Sequence, residues 1–197
     1  MSPPVHYALT ELIIVLACIF SAVKLSRNNY YFALFGVVLI GIAAATGAIR
    51  FGLLNTEFII QLNKILALYA GALCLSLVAT QIVFNLNFKI LGWIVFALTV
   101  LSILSGFVWP KLLLIKLIYF WSILSIVLVL FIHEEGILKR VIKSMLMSIL
   151  LISFLTVSKR GLLIDTLGAD LGFHLYHALI AIWVFSINFV IKENNNN

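Results

Sequence analysis

Apolar residues run along this chain almost without interruption, and short polar punctuation divides them. Ser26-Arg27-Asn28-Asn29, Asn55-Thr56-Glu57, Asn85-Leu86-Asn87 and Trp109-Pro110-Lys111 separate the longest runs. About 20 mostly apolar residues cross about 30 Å of hydrocarbon at about 1.5 Å of rise per residue. On that measure the pattern predicts helices at residues 7–25, 30–54, 58–84, 90–108, 112–132, 141–157 and 168–191. Strands of a membrane barrel would be about 10 residues long with alternating polarity, and lipid requires every backbone amide to bond internally. The predicted fold class is an all-α membrane protein, a seven-transmembrane-helix bundle, with residues 1–197 forming one domain.

Composition agrees with that pattern: 64% of residues are hydrophobic and only 10% are charged, and the mean hydropathy is +1.21. A water-soluble fold of this size has no interior large enough for so much apolar surface. The first run could be read as a secretory signal. It lacks a basic leader, contains Glu11, and ends in Lys24 and Arg27 instead of a small-residue cleavage site, so it is expected to stay as a helix. Cys18 and Cys74 lie deep in apolar runs, where a thiol packs as a small hydrophobe.

The net charge of +6 comes from basic residues scattered at the edges of the runs, which speaks against a nucleic-acid partner. With alternating passes, Lys24, Arg27, Lys89, Lys139, Arg140, Lys143 and Lys192 share one side of the membrane. Lys111, Lys116, Lys159 and Arg160 occupy the other as interfacial anchors. The excess of basic residues on the first side favours an N-terminus outside and a C-terminus in the cytoplasm. The expected location is a bacterial inner membrane.

Alternation also gathers the polar residues within the runs. Glu11 stands near the start of the first helix, and Thr46 and Arg50 near the end of the second. Glu57, Gln61, Asn63 and Lys64 open the third, and Asp170, His174 and His177 open the last. All belong to the N-terminal side. An ionisable group in the bilayer costs several kcal/mol unless it is paired or faces a cavity, so their convergence predicts a pocket in that leaflet. Residues three, four or seven apart share a helical face, which makes stripes of Asp170, His174 and His177 and of Glu57, Gln61 and Lys64. Small residues at Gly41/Ala45, Ala44/Ala48 and Ala67/Gly71 predict close pairing of the second and third helices, with Arg50 near Glu57 and Gln61. Glu11 with Arg50, or Asp170 with Lys64, would then serve as structural ion pairs.

These segments resemble the CREST superfamily of seven-helix membrane proteins, which includes alkaline ceramidases and adiponectin-receptor-like proteins. Members carry Ser-x3-His at the end of helix 2, an Asp early in helix 3 and His-x3-His at the start of helix 7. Here Thr46-Gly47-Ala48-Ile49-Arg50, Gln61-Leu62-Asn63 and Phe173-His174-Leu175-Tyr176-His177 stand in those places. Ala48-Ile49-Arg50-Phe51-Gly52 and the same histidine segment resemble a bacterial group with this layout still more closely. The resemblance implies a bundle in which zinc activates water against a lipid amide. The departures weaken that implication: Arg50 replaces a ligand histidine and cannot bind metal, Asn63 replaces the carboxylate, and the histidines are three apart.

The expected function is lipid or amphiphile binding or sensing on a CREST-like scaffold, with a membrane lipid as partner. The expected ligand-binding set is Glu11, Thr46, Arg50, Gln61, Asn63, Lys64 and Tyr176, with Arg50 and Lys64 suited to a phosphate or carboxylate headgroup. The alternative is a metal-dependent lipid amide or ester hydrolase using Thr46, His174 and His177. No metal or other cofactor is expected; if zinc were held, Asp170, His174 and His177 would be its donors. A transporter or a subunit of a membrane complex remains as a further alternative. A retinal Schiff base has no intramembrane lysine in the last helix, and P-loop and CxxC patterns are absent.

Overall fold

The computed structural model describes residues 4–108, 112–131, 136–157 and 163–191. Among the described residues there is no strand. The helices are α1 (His6–Arg27), α2 (Tyr31–Gly52), α3 (Glu57–Asn85), α4 (Lys89–Val108), α5 (Leu112–Leu130), α6 (Ile137–Thr156), the single-turn α7 (Ile164–Leu167) and α8 (Ala169–Ile191). Of the expected flanking charges, Lys111, Lys159, Arg160 and Lys192 lie outside the described residues.

Local chemistry sets the boundaries. The Thr56 hydroxyl accepts the Ile59 N–H at 3.4 Å and Glu57 occupies the first turn, so an N-cap and an acid open α3. Lys24 and Arg27 in the last turn close α1, and Asn29 turns the chain at φ 59°. One boundary differs by a full turn from the sequence expectation. Helix α6 begins at Ile137 rather than 141, because Lys139 and Arg140 are good helix formers whose charge marks the interface and not a helix end. Gly168, at φ 77°, separates the single turn α7, which holds Asp165, from α8, whose start at Ala169 lies one residue from the expected 168.

Neighbouring residues give the directions. Along α1 and α8, Tyr7 meets Asp170, Thr10 meets His174, and Ser21 meets the Val184 carbonyl, so the two helices are parallel. Along α1 and α2, Gly52 lies against Ala8, Gly47 against Glu11 and Gly41 against Cys18, an antiparallel pair. Helix α3 runs against α2 through Phe32–Gln81 and Asn63–Ala43, and along α5 through Gly71–Ile118 and Leu75–Ser125. Helix α6 runs against α8 through Phe154–Tyr176 and Lys143–Phe189. Helices α1, α2, α3, α5, α6 and α8 close a ring in that order, while α4 packs outside it, mainly on α3.

The small residues do not all serve the pair assigned to them from sequence. A methyl at Gly41 would meet Cys18 of α1 at 3.1 Å, and one at Gly71 would meet Ile118 of α5 at 3.5 Å. The close approach of α2 and α3 is instead at Gly36, whose added methyl would lie 2.9 Å from the Cys74 Cα.

The ring is tight at one end and loose at the other. Cys74 to Val83 of α3 form an unbroken buried run, and Trp183, Val184, Ile187, Val190 and Ile191 of α8 are buried beside it. At this end the Gln81 side chain accepts the Phe32 N–H at 3.2 Å and donates to Asn85 Oδ1 at 2.9 Å. Asn85 in turn donates to the Ile191 carbonyl at 3.0 Å. These amides satisfy orphan backbone groups at the start of α2 and the end of α8. Toward the other end, Asn63 is the buried residue among positions 57–69 of α3.

Large apolar side chains such as Leu9, Leu16, Phe35, Trp93, Leu101 and Phe185 cover the outside. Helices α1, α2, α3 and α8 are long and apolar enough to cross a membrane, and α4 and α5 contain shorter apolar stretches. An apolar exterior over helices of this length suits an integral membrane protein.

Candidate functional site

The loose end of the ring carries the polar residues. Three rungs join α1 to α8: the Tyr7 hydroxyl donates to Asp170 Oδ1, Thr10 Oγ1 lies 2.7 Å from His174 Nδ1, and Glu11 Oε1 lies 3.3 Å from His177 Nε2. Positions 7, 10 and 11 share one face of α1, and 170, 174 and 177 share one face of α8, so parallel helices bring the stripes together. An aromatic stack braces the rungs. The Tyr7 ring lies on Phe173 at 3.9 Å between centroids, Phe173 lies on His177 at 3.9 Å, and Phe51 of α2 meets Tyr7 and Phe173 edge-on.

The innermost rung is the most informative. Glu11 is buried, and Gly47 of α2 makes the niche it occupies: a methyl there would lie 2.5 Å from Glu11 Oε1. His177 Nδ1 lies 2.7 Å from the Phe173 carbonyl, which only accepts, so Nδ1 carries a proton and donates it there. Nε2 therefore faces the carboxylate with a lone pair or with a second proton. Each group gives the other a polar partner at 3.3 Å, which offsets part of the cost of burial among apolar residues.

This pair faces a cavity of about 120 Å³ on the axis of the ring. Every ring helix contributes to the wall: Glu11 and Ile14 from α1, Ile40, Ala43 and Ala44 from α2, Ala67, Ala70 and Gly71 from α3, Ile118 from α5, Leu150 and Phe154 from α6, and Tyr176, His177 and Ile180 from α8. Alanine and glycine on α2 and α3 leave the space. Glu11, Tyr176 and His177 are the residues with polar groups in an otherwise apolar lining.

A second cluster locks α2 to α3. The buried Asn63 amide donates to the Ala43 carbonyl at 3.1 Å and to Thr46 Oγ1 at 3.4 Å, while its oxygen accepts from Arg50 Nη1 at 3.2 Å. The Thr46 hydroxyl donates to the Ala43 carbonyl at 2.7 Å. Arg50 lies in the last turn of α2, with its guanidinium over the Phe51 ring and its Nε buried without a partner.

Several expectations are corrected by this geometry. Glu11 pairs with His177 and not Arg50, because α1 turns its polar stripe toward α8. Asp170 bonds Tyr7 and not Lys64. Gln61 bonds Glu57 on an exposed face, and Lys64 is exposed one turn from Ala67, so neither joins the Glu11 cluster. The bonds of Thr46 go to α2 and α3 rather than to His174 or His177, so the three catalytic candidates are not assembled. Sequence reasoning missed Tyr7, Thr10, Phe51 and Phe173. The spacing of Tyr7, Thr10 and Glu11 on one helical face was the signal that could have found the first two.

The chain matches no family model, and no curated protein or solved structure matches it. The zinc implied by the CREST resemblance can be tested on the donors themselves. A hydrolytic zinc site needs three protein ligands and a water. Asp170, His174 and His177 each engage a different α1 residue, and among the described residues no three of His, Cys, Asp and Glu gather to hold a metal. Arg50, with its fixed positive charge, stands where the resemblance places a ligand histidine. The residues do not fit the metal.

Proposed function

We propose that this chain is a seven-span integral membrane protein that holds a membrane amphiphile on the axis of its helix ring, on a CREST-like scaffold. The observation that carries the reading is the axial cavity, whose wall is apolar except where Glu11, His177 and Tyr176 gather at one side. Such a site suits a ligand with an apolar body and one polar group, the usual composition of small-ligand pockets. The surroundings support the reading. Helices α4, α5 and α6, at 20, 19 and 20 residues, have the length needed to span about 30 Å beside the four helices α1, α2, α3 and α8. Basic residues at the ends of α1 and the starts of α4 and α6 favour a cytoplasmic C-terminus and an external N-terminus, with the cavity in the outer half. The hydrolase alternative gains nothing from this geometry, since its metal donors and its hydroxyl are engaged elsewhere.

Mass spectrometry of lipids retained by the purified protein tests the proposal. Ala44→Leu with Ala70→Leu fills the cavity without touching the polar pair. The amphiphile retained by the native protein is expected to fall at least tenfold in the filled variant. Equal retention would place any bound lipid elsewhere and end the reading.

A further inference from the structure

The carboxyl group of the innermost rung points to the chemical class of the occupant, on the premise that the axial cavity is a binding site. We infer that the cavity is a site for a primary ammonium group on a short apolar chain, held by Glu11 and His177.

Glu11 Oε1 and His177 Nε2 stand 3.3 Å apart beside a wall that is otherwise apolar apart from Tyr176. A hydroxyl brings one donor and no charge, so it leaves the Glu11 carboxylate without a counter-charge. An ammonium brings three donors and a positive charge, and Glu11 and His177 face the cavity to receive it. Phe154 and Tyr176 add aromatic rings, whose faces attract cations. A hard metal cation needs a shell of oxygen ligands, and this wall offers one carboxylate and one phenol. Because the pair is backed by Gly47 and by the Phe173 carbonyl, it is held in place before the ligand arrives.

The other titratable groups on the surrounding helices have their own partners or lie outside. Tyr7 and Asp170 bond each other, and His174 bonds Thr10 and packs beside His6. Arg50 bonds Asn63, Tyr119 of α5 packs on Phe154, and Lys64 is exposed. Helix α6 brings Leu150 and Phe154, both apolar.

Calorimetry on the full chain in lipid nanodiscs, with pentylammonium and pentanol as probes, decides the matter. Pentylammonium is expected to bind once and pentanol at least tenfold more weakly. Glu11→Gln keeps a hydrogen bond to His177 and should lose at least tenfold in ammonium affinity. Absence of ammonium binding, equal binding of pentanol, or an unchanged affinity in Glu11→Gln would each overturn the inference. If ammonium fails to bind while the filled variant still sheds its retained amphiphile, this inference falls and the cavity reading stands.

Discussion

Gly36 and Gly47 both lie on α2 at close contacts, yet a methyl added at each meets a different kind of atom. At Gly36 it would come within 2.9 Å of the Cys74 Cα and 3.2 Å of its carbonyl oxygen, backbone atoms that move only if α2 and α3 separate. Overpacking of this kind costs about 1–3 kcal/mol, so Gly36→Ala should lower the melting temperature in nanodiscs by several degrees. At Gly47 the obstacle is the end of the Glu11 side chain, which can swing toward the adjacent cavity. Gly47→Ala should therefore break the Glu11–His177 contact and lower cavity occupancy about tenfold, with a smaller melting shift than Gly36→Ala. The reverse ordering of the two melting shifts would contradict the assignment. At this scale the sequence revealed which acids and histidines share a helical face, because a spacing of three or four is a property of one helix. Their partners depend on how each helix is rotated about its axis. Tyr7 and Thr10 carry no charge that must be explained in lipid, so they left no comparable mark.

Helix lengths were legible because hydrocarbon thickness fixes them, and six of the seven long helices lie within a few residues of their expected ends. The exception, the start of α6, shows why: Lys139 and Arg140 interrupt hydropathy without interrupting the helix. What hydropathy cannot distinguish is a helix face that touches lipid from one that touches another helix, since both are apolar. Hence Gly41 and Gly71 were assigned to the α2–α3 seam although they serve α1 and α5. Polar side chains give sharper tests of packing at this scale. Gln81 links α2, α3 and, through Asn85, α8, so Gln81→Leu would leave the Phe32 N–H and Asn85 Oδ1 unpaired inside the tight end. Each buried unpaired group costs about 1–3 kcal/mol. A drop of several degrees in melting temperature is expected. Gln61→Leu, on the exposed start of α3, should change stability by less than about 0.5 kcal/mol. Equal effects of the two substitutions would mean that the Gln81 relay is not holding the helix ends together.

At the scale of the molecule, direction was the most legible property of all. Short connections between long helices force reversal, and reversal alone places the starts of α1, α3 and α8 beside the end of α2. The parallel rungs between α1 and α8 agree with an even number of reversals between them. Direction does not say which end faces the cytoplasm, and the proposed orientation rests on the basic residues. Lys24 and Arg27 at the end of α1 and Lys89 at the start of α4 share the side that the proposed orientation makes cytoplasmic, by the positive-inside rule. Ser26, Asn55 and Phe88 are exposed at three successive turns and suit single-cysteine substitution, while native Cys18 and Cys74 are buried and leave the unsubstituted chain as a silent control. With a membrane-impermeant maleimide, Asn55→Cys should react in intact cells, and Ser26→Cys and Phe88→Cys only after the membrane is opened. The inverse pattern would reverse the orientation and move the cavity to the inner half, leaving its chemistry unchanged. Reaction of Ser26→Cys and Asn55→Cys from the same side would mean that α2 does not cross, and the alternation that brings Glu11 to His177 would need another origin.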